Sequence, residues 1–121
     1  MTSPQRIYLV DDEPEVRKAL GRLLRAAGWT VEAFSTAADL LAAIDAAPAP
    51  DCVILDFQMP DLNGLEIRDI LARRGLGRRI IFLSGSTDVA PAGGEAGHAE
   101  FLAKPARREE ILAAVARVLA G

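Results

Sequence analysis

Apolar residues along this chain follow two rhythms. Three short runs are apolar without a break: Ile7-Tyr8-Leu9-Val10, Cys52-Val53-Ile54-Leu55 and Ile80-Ile81-Phe82-Leu83. A shorter one, Phe101-Leu102-Ala103, follows the same habit. Such runs read as strands buried on both faces, as parallel sheets require. Thr30 to Phe34 alternates and reads as a fifth strand. Between the strands the spacing turns helical. The inner faces are Val16, Leu20, Leu23, Leu24 and Ala27; then Leu40, Leu41 and Ile44; then Leu65, Ile67, Ile70 and Leu71; and finally Ile111, Leu112, Val115, Val118 and Leu119.

Punctuation supports this division. Pro14 suits a first helical turn, where its missing N–H costs nothing. Gly28 stops the first helix, and Ser35 or Thr36 caps the second. Pro48-Ala49-Pro50 breaks the chain before the third strand, and the third helix ends near Arg74-Gly75. Strand and helix alternate about five times, which predicts a single α/β domain, residues 1–121, with a doubly wound five-stranded parallel sheet. One stretch departs from the rhythm. A crossover helix belongs between strands 4 and 5, yet from Ser86 to Ala99 only Val89 is a large aliphatic. Gly93-Gly94 would each cost about 1 kcal/mol in a helix interior. A short or irregular fourth helix is expected there.

The strand ends carry the chemistry. The first run stops at Asp11-Asp12-Glu13, the third strand at Asp56, the fourth at Ser84-Gly85 and the fifth at Lys104-Pro105. An unpaired carboxylate inside a core costs several kcal/mol, so Asp56 is expected at the rim. In an open parallel sheet that rim lines the ligand crevice. In the strand order 2-1-3-4-5, strands 1 and 3 are neighbours and the carboxylates of Asp11, Asp12 and Asp56 converge. Like charges ~4 Å apart repel by about 4 kcal/mol at an effective dielectric near 20. Mg²⁺ relieves such a cluster: it takes oxygen ligands, needs few protein contacts and keeps several waters. Lys104 supplies a point charge for a phosphoryl group and Ser84 a hydroxyl donor. The set suits phosphoryl transfer onto a carboxylate.

Composition narrows the alternatives. Half of the 121 residues are hydrophobic and the formal net charge is −3, so a packed globule is expected and a nucleic-acid-binding surface is not. The single cysteine, Cys52, excludes an intrachain disulfide and a cysteine-based zinc cluster. No apolar stretch approaches ~20 residues, and Met1 to Arg6 lacks a signal-peptide pattern, so a cytoplasmic location is expected. Asp61 is expected to shape its turn or cap helix 3, Glu13 to be solvated or to stand behind the metal ligands, and His98 to be an exposed loop residue.

Taken as a spaced set, these residues resemble those of a response-regulator receiver domain of two-component signalling, of the chemotaxis-regulator type. The matching positions are Asp11-Asp12, Asp56, Met59-Pro60, Gly64, Ser84 and Lys104-Pro105, and the resemblance spans essentially the whole chain. It implies a flavodoxin-like sheet order, with Asp56 the phosphoacceptor for a sensor histidine kinase or phosphotransfer protein. Asp12 would bind Mg²⁺ directly and Asp11 mainly through water, with the Gln58 backbone carbonyl as the third protein ligand. Lys104 would pair with Asp56 and then with the phosphate. Ser84 would hydrogen-bond the phosphate, Phe101 would be the switch aromatic, and the Lys104-Pro105 bond would be cis. Catalysis would extend only to the domain's own phosphotransfer and autodephosphorylation. Output would pass to a second copy or an output domain. The rival is an interaction scaffold that keeps the fold but does not switch by phosphate, favoured by the weak fourth helix. A hydrolytic phosphatase fits less well, for want of a second acid placed for general-acid work.

Overall fold

A computed structural model describes residues 5–46, 48–57, 59–85 and 100–121. The expected short fourth helix, His98 and Gln58 lie outside these. In chain order the elements are β1 (Arg6–Val10), α1 (Pro14–Ala26), β2 (Thr30–Phe34), α2 (Ala37–Ala46), β3 (Cys52–Asp56), α3 (Gly64–Arg73), β4 (Ile80–Ser84), β5 (Glu100–Ala103) and α4 (Arg108–Ala120). The strands form one parallel sheet in the order β2-β1-β3-β4-β5. This is the doubly wound architecture that the hydrophobic pattern predicts.

Period-2 geometry explains why the central strands read as unbroken apolar runs. Successive side chains point to opposite faces, and both faces are covered. Ile7, Leu9, Cys52, Ile54, Ile81 and Leu83 meet Leu20 and Leu24 of α1 and Ile111, Val115 and Val118 of α4. Tyr8, Val10, Val53, Leu55, Ile80 and Phe82 meet Leu40 and Ile44 of α2 and Ile67 and Leu71 of α3. Every residue of β3 is buried. Full burial of each large aliphatic contributes about 1.5–3 kcal/mol, so the two apolar layers hold the strand ends in fixed register. β2 and β5 are the edges, and their exposed positions match that place.

Two helices end in the same way. Gly28 and Gly75 take φ +101° and +79°. The amides that follow, Trp29 and Leu76, donate back to the carbonyls of Leu24 and Leu71. This left-handed C-terminal motif needs glycine and satisfies carbonyls that the helix end would orphan. Two expected inner-face residues lie elsewhere. Ala27 falls past the end of α1 and is exposed. Leu65, on the first turn of α3, is 48% exposed because the helix turns its Ile67–Leu71 stripe inward instead.

Candidate functional site

Parallel register brings the strand ends level. Val10 pairs with Leu55, so Asp11 and Asp56 leave the sheet side by side. Asp56 pairs with Leu83 and Ser84 with Ala103. Lys104 comes next, and its backbone N–H donates to the Ser84 carbonyl at 2.8 Å. The Lys104–Pro105 peptide is cis.

Asp56 lies deeper than a rim position suggests: it is 8% exposed, and Asp11 is fully buried. Lys104 makes this tolerable. Its Nζ donates to Asp56 Oδ2 at 2.8 Å and to Asp11 Oδ2 at 3.1 Å, and lies 3.6 Å from Glu13 Oε1. Burial alone would lower the pKa of the ammonium. The hydrogen bonds and negative charges of Asp56 and Asp11 outweigh it, and the net shift is upward. Asp11 is held at two further points. Its Oδ1 accepts the Glu13 N–H at 2.9 Å, and its carbonyl accepts Arg17 Nη1 at 2.7 Å. Sequence reasoning passed over Arg17. The available signal was a cation in the first turns of α1, within reach of the strand end that precedes it.

Asp11, Asp12, Glu13 and Asp56 each offer a carboxylate oxygen, and these atoms lie within 4.8 Å of one another. Asp12 and Glu13 are exposed while Asp11 and Asp56 are buried. Three of these carboxylates, Asp11, Glu13 and Asp56, meet the Lys104 ammonium, and the excess charge on Asp12 and Glu13 faces water. An all-oxygen donor set with an open, hydrated side suits a hard divalent cation such as Mg²⁺ that keeps part of its water shell. The predicted ligands Asp11, Asp12 and Asp56 are therefore together, with Glu13 nearer than expected. Ser84 is half-buried at the end of β4.

Phe101 is half-buried on β5. It stacks on Phe82 with centroids 5.0 Å apart and meets Phe57 edge-on at 5.4 Å. Phe57, next in sequence to Asp56, also meets Phe82 edge-on at 5.1 Å. Its ring fills the space that a Cβ on Gly64 would need. Glycine at the start of α3 is thereby explained by packing.

Asp61 departs from one of its two expected roles. It does not cap α3, which has its own reciprocal cap: Asn63 Oδ1 accepts the Glu66 N–H, and Glu66 Oε1 accepts the Asn63 N–H. Asp61 reaches across to α2, where its carboxylate accepts the N–H groups of Ala37 and Ala38 at 3.3 and 3.0 Å. Thr36 Oγ1 takes the Asp39 N–H of the same turn. A further feature is a groove of about 500 Å³ beside Lys104, lined by Val16, Leu20, Leu83, Pro105, Ala106 and Ile111 among others. Among the described residues, no helix is long and apolar enough to cross a membrane.

Comparison with known proteins agrees with this geometry. Residues 7–116 match the sequence model of the response regulator receiver domain. The response regulator protein TodT of Pseudomonas putida is 39% identical over 115 residues, covering 93% of this chain and 50% of that protein. The chain thus spans about half the length of such relatives. A response regulator receiver domain protein from Clostridium thermocellum superposes with a TM-score of 0.86 at 27% identity, over 96% of this chain and 94% of that one. The beryllofluoride-activated receiver domain of DrrB gives 0.83 at 29% identity, over 98% and 100%.

Proposed function

The chain belongs to the response regulator receiver family, and from that premise we propose that it takes up a phosphoryl group on Asp56 and switches conformation in response. The observation that carries this reading is the convergence of Asp56 and Asp11 on one ammonium, Lys104, beside two exposed acids. A carboxylate so held is a nucleophile whose charge is balanced without being removed.

The donor is a phosphohistidine on a sensor kinase or phosphotransfer protein. An Asp56 oxygen attacks phosphorus, the bond from phosphorus to the donor imidazole nitrogen breaks, and its electron pair stays on nitrogen. Asp11, Asp12, Asp56 and the Gln58 carbonyl would hold Mg²⁺. When bound, the ion neutralises phosphoryl oxygens and orients them for in-line attack. Lys104 follows the developing charge from the carboxylate to the phosphoryl oxygens, and Ser84 donates a hydrogen bond to them. The product carries about two negative charges on Asp56, which Lys104 and Ser84 meet from β5 and β4. Phe101 then changes its packing against Phe57 and Phe82. The apolar groove next to Lys104 offers a protein donor footing beside the site. The domain is no general enzyme: it acts on its own carboxylate and on the phosphate placed there. Output passes to a second copy or an output domain.

Incubation with Mg²⁺ and a small acyl phosphate, followed by intact mass measurement, tests the reading. The wild type gains one phosphoryl group and Asp56→Asn gains none. Asn keeps the shape and loses the nucleophile. A wild type that gains no mass would leave the scaffold reading, and labelling undiminished in the variant would remove Asp56 from its role.

A further inference from the structure

We propose that Asp61 is a positioning residue for the site, tethering the loop that leaves the acceptor strand to the N-terminus of α2. This rests on the reading of Asp56 as the metal-assisted phosphoacceptor. Phe57 and residues 59–63 lie between β3 and α3 and are held at three places. Phe57 packs its ring against Gly64 at the loop's far end, so its two ends touch. Met59 is buried, 7% exposed, in the layer that packs on α2 and α3. Between these, Asp61 donates nothing and accepts twice, from Ala37 and Ala38.

The chemistry explains why this contact acts at a distance. The first amides of a helix have no partner within it and carry the positive end of its dipole. A carboxylate takes both amides in a geometry that a neutral side chain only partly reproduces. Asp61 is 24 residues from Ala37 in sequence, so the tie joins two elements that turn chemistry alone would leave independent. Thr36, which belongs to α2's own approach, supplies the ordinary local cap through Asp39. Asp61 thus takes two amides that Thr36 leaves, and it does so from a different element. What it adds is a fixed place for the segment that begins one residue past Asp56. Gln58, whose carbonyl is assigned above to the metal, stands three positions before Asp61 in the sequence.

The comparison of two cap removals isolates this role. Asp61→Ala and Thr36→Ala each delete a cap at the same helix end, and each should lower the melting temperature by about 4 °C. They should differ in metal binding. Calorimetric titration with Mg²⁺ should show affinity falling about tenfold in Asp61→Ala, the scale on which outer supports of a metal site act, and unchanged in Thr36→Ala. Asp61→Asn, which keeps one acceptor, should fall between Asp61→Ala and the wild type. The phosphorylation rate plotted against Mg²⁺ concentration should shift to the same extent. Equal Mg²⁺ affinity in wild type and Asp61→Ala, with the melting temperature lowered, would overturn the proposal and leave Asp61 as a helix cap. Equal losses in both alanine variants would also overturn it, since the cause would then be α2 itself. If Asp61→Ala does not fold, Asp61→Asn decides: an affinity intermediate or lower supports the tether, and a wild-type affinity refutes it. A wild type that binds Mg²⁺ but gains no phosphoryl group would instead sink the phosphoacceptor reading and leave the tether to the metal data.

Discussion

The two ends of the sheet handle charge in opposite ways. At the N-terminal end, Arg6 is surrounded by acceptors. Its guanidinium donates to the Pro48 carbonyl at 3.0 Å and the Tyr8 hydroxyl at 2.6 Å, meets Glu32 at 3.5 Å, and sits over the Tyr8 ring. Its backbone N–H donates to Asp51 Oδ2 at 2.8 Å, and Asp51's carbonyl faces Arg79 Nη1 at 3.4 Å. Cations and acceptors are matched there, and the arrangement closes the α2–β3 connection onto β1. At the C-terminal end, Asp11, Glu13 and Asp56 share the ammonium of Lys104, and Asp12 adds a fourth carboxylate to the cluster. The first end is organised to stay as it is. The second holds an excess of negative charge of the kind a hard divalent cation relieves.

The sharpest way to break this contrast is to remove the single ammonium. Lys104→Met leaves Asp11 and Asp56 buried without their shared cation, and the cost should be about 3 kcal/mol, as for one partner lost from a buried pair. Urea unfolding with and without Mg²⁺ measures it, and part of the loss should return when the ion is present. A cost no greater than that of an exposed pair would show that water already screens these carboxylates.

Mg²⁺ itself should stabilise the wild type through the acidic end, by about 1.4 kcal/mol at ~10-fold excess over its Kd. Asp12→Ala should abolish that gain, because Asp12 is an exposed member of the cluster and free to ligate. A wild-type melting temperature indifferent to Mg²⁺ would end the metal assignment.

The opposite end should respond differently. Arg6→Ala removes hydrogen bonds that are partly open to water, so it should cost about 1 kcal/mol. It should leave Mg²⁺ affinity and phosphoryl uptake unchanged. Any shift in Mg²⁺ affinity would mean that the two ends communicate through β1.

The smallest effect concerns alkaline pH, and it belongs to the layer between the ends. Burial pushes the Cys52 thiol from its ordinary 9.0 up to about 12. The folded state therefore favours the protonated thiol. That contribution is complete below pH 9.0 and is lost as pH rises from there toward about 12. The upward shift of Lys104 acts in the same direction. Unfolding free energy measured across this window should fall, and Cys52→Ala should flatten the slope. At neutral pH neither group should make the stability pH-dependent.

Strand and helix identities were legible in the sequence because two-sided burial leaves unbroken apolar runs and one-sided burial leaves a helical stripe. The acids and the lysine were legible for a related reason: a charge directly after a buried run has few places to go except the sheet's end. Ala27 and Leu65 were misread because a stripe predicts a face but not where the helix begins and ends along it. The C-terminal motif at Gly28 and the reciprocal Asn63–Glu66 cap set those limits.

What the sequence determined by itself was therefore the alternation of elements, the ends at which charge collects and the candidate members Asp11, Asp12, Asp56, Ser84 and Lys104. What only tertiary structure decided was how deeply these members are buried and which partners they share beyond the Lys104–Asp56 pair that the family resemblance implies. The burial of Asp56, the forked hold of Lys104 on two acids, the grip of Arg17 on the Asp11 carbonyl and the reach of Asp61 to α2 all join residues from different elements. Periodicity reports each element's own environment, one residue at a time. Pairings across elements follow from register and packing in three dimensions, and no local pattern carries them.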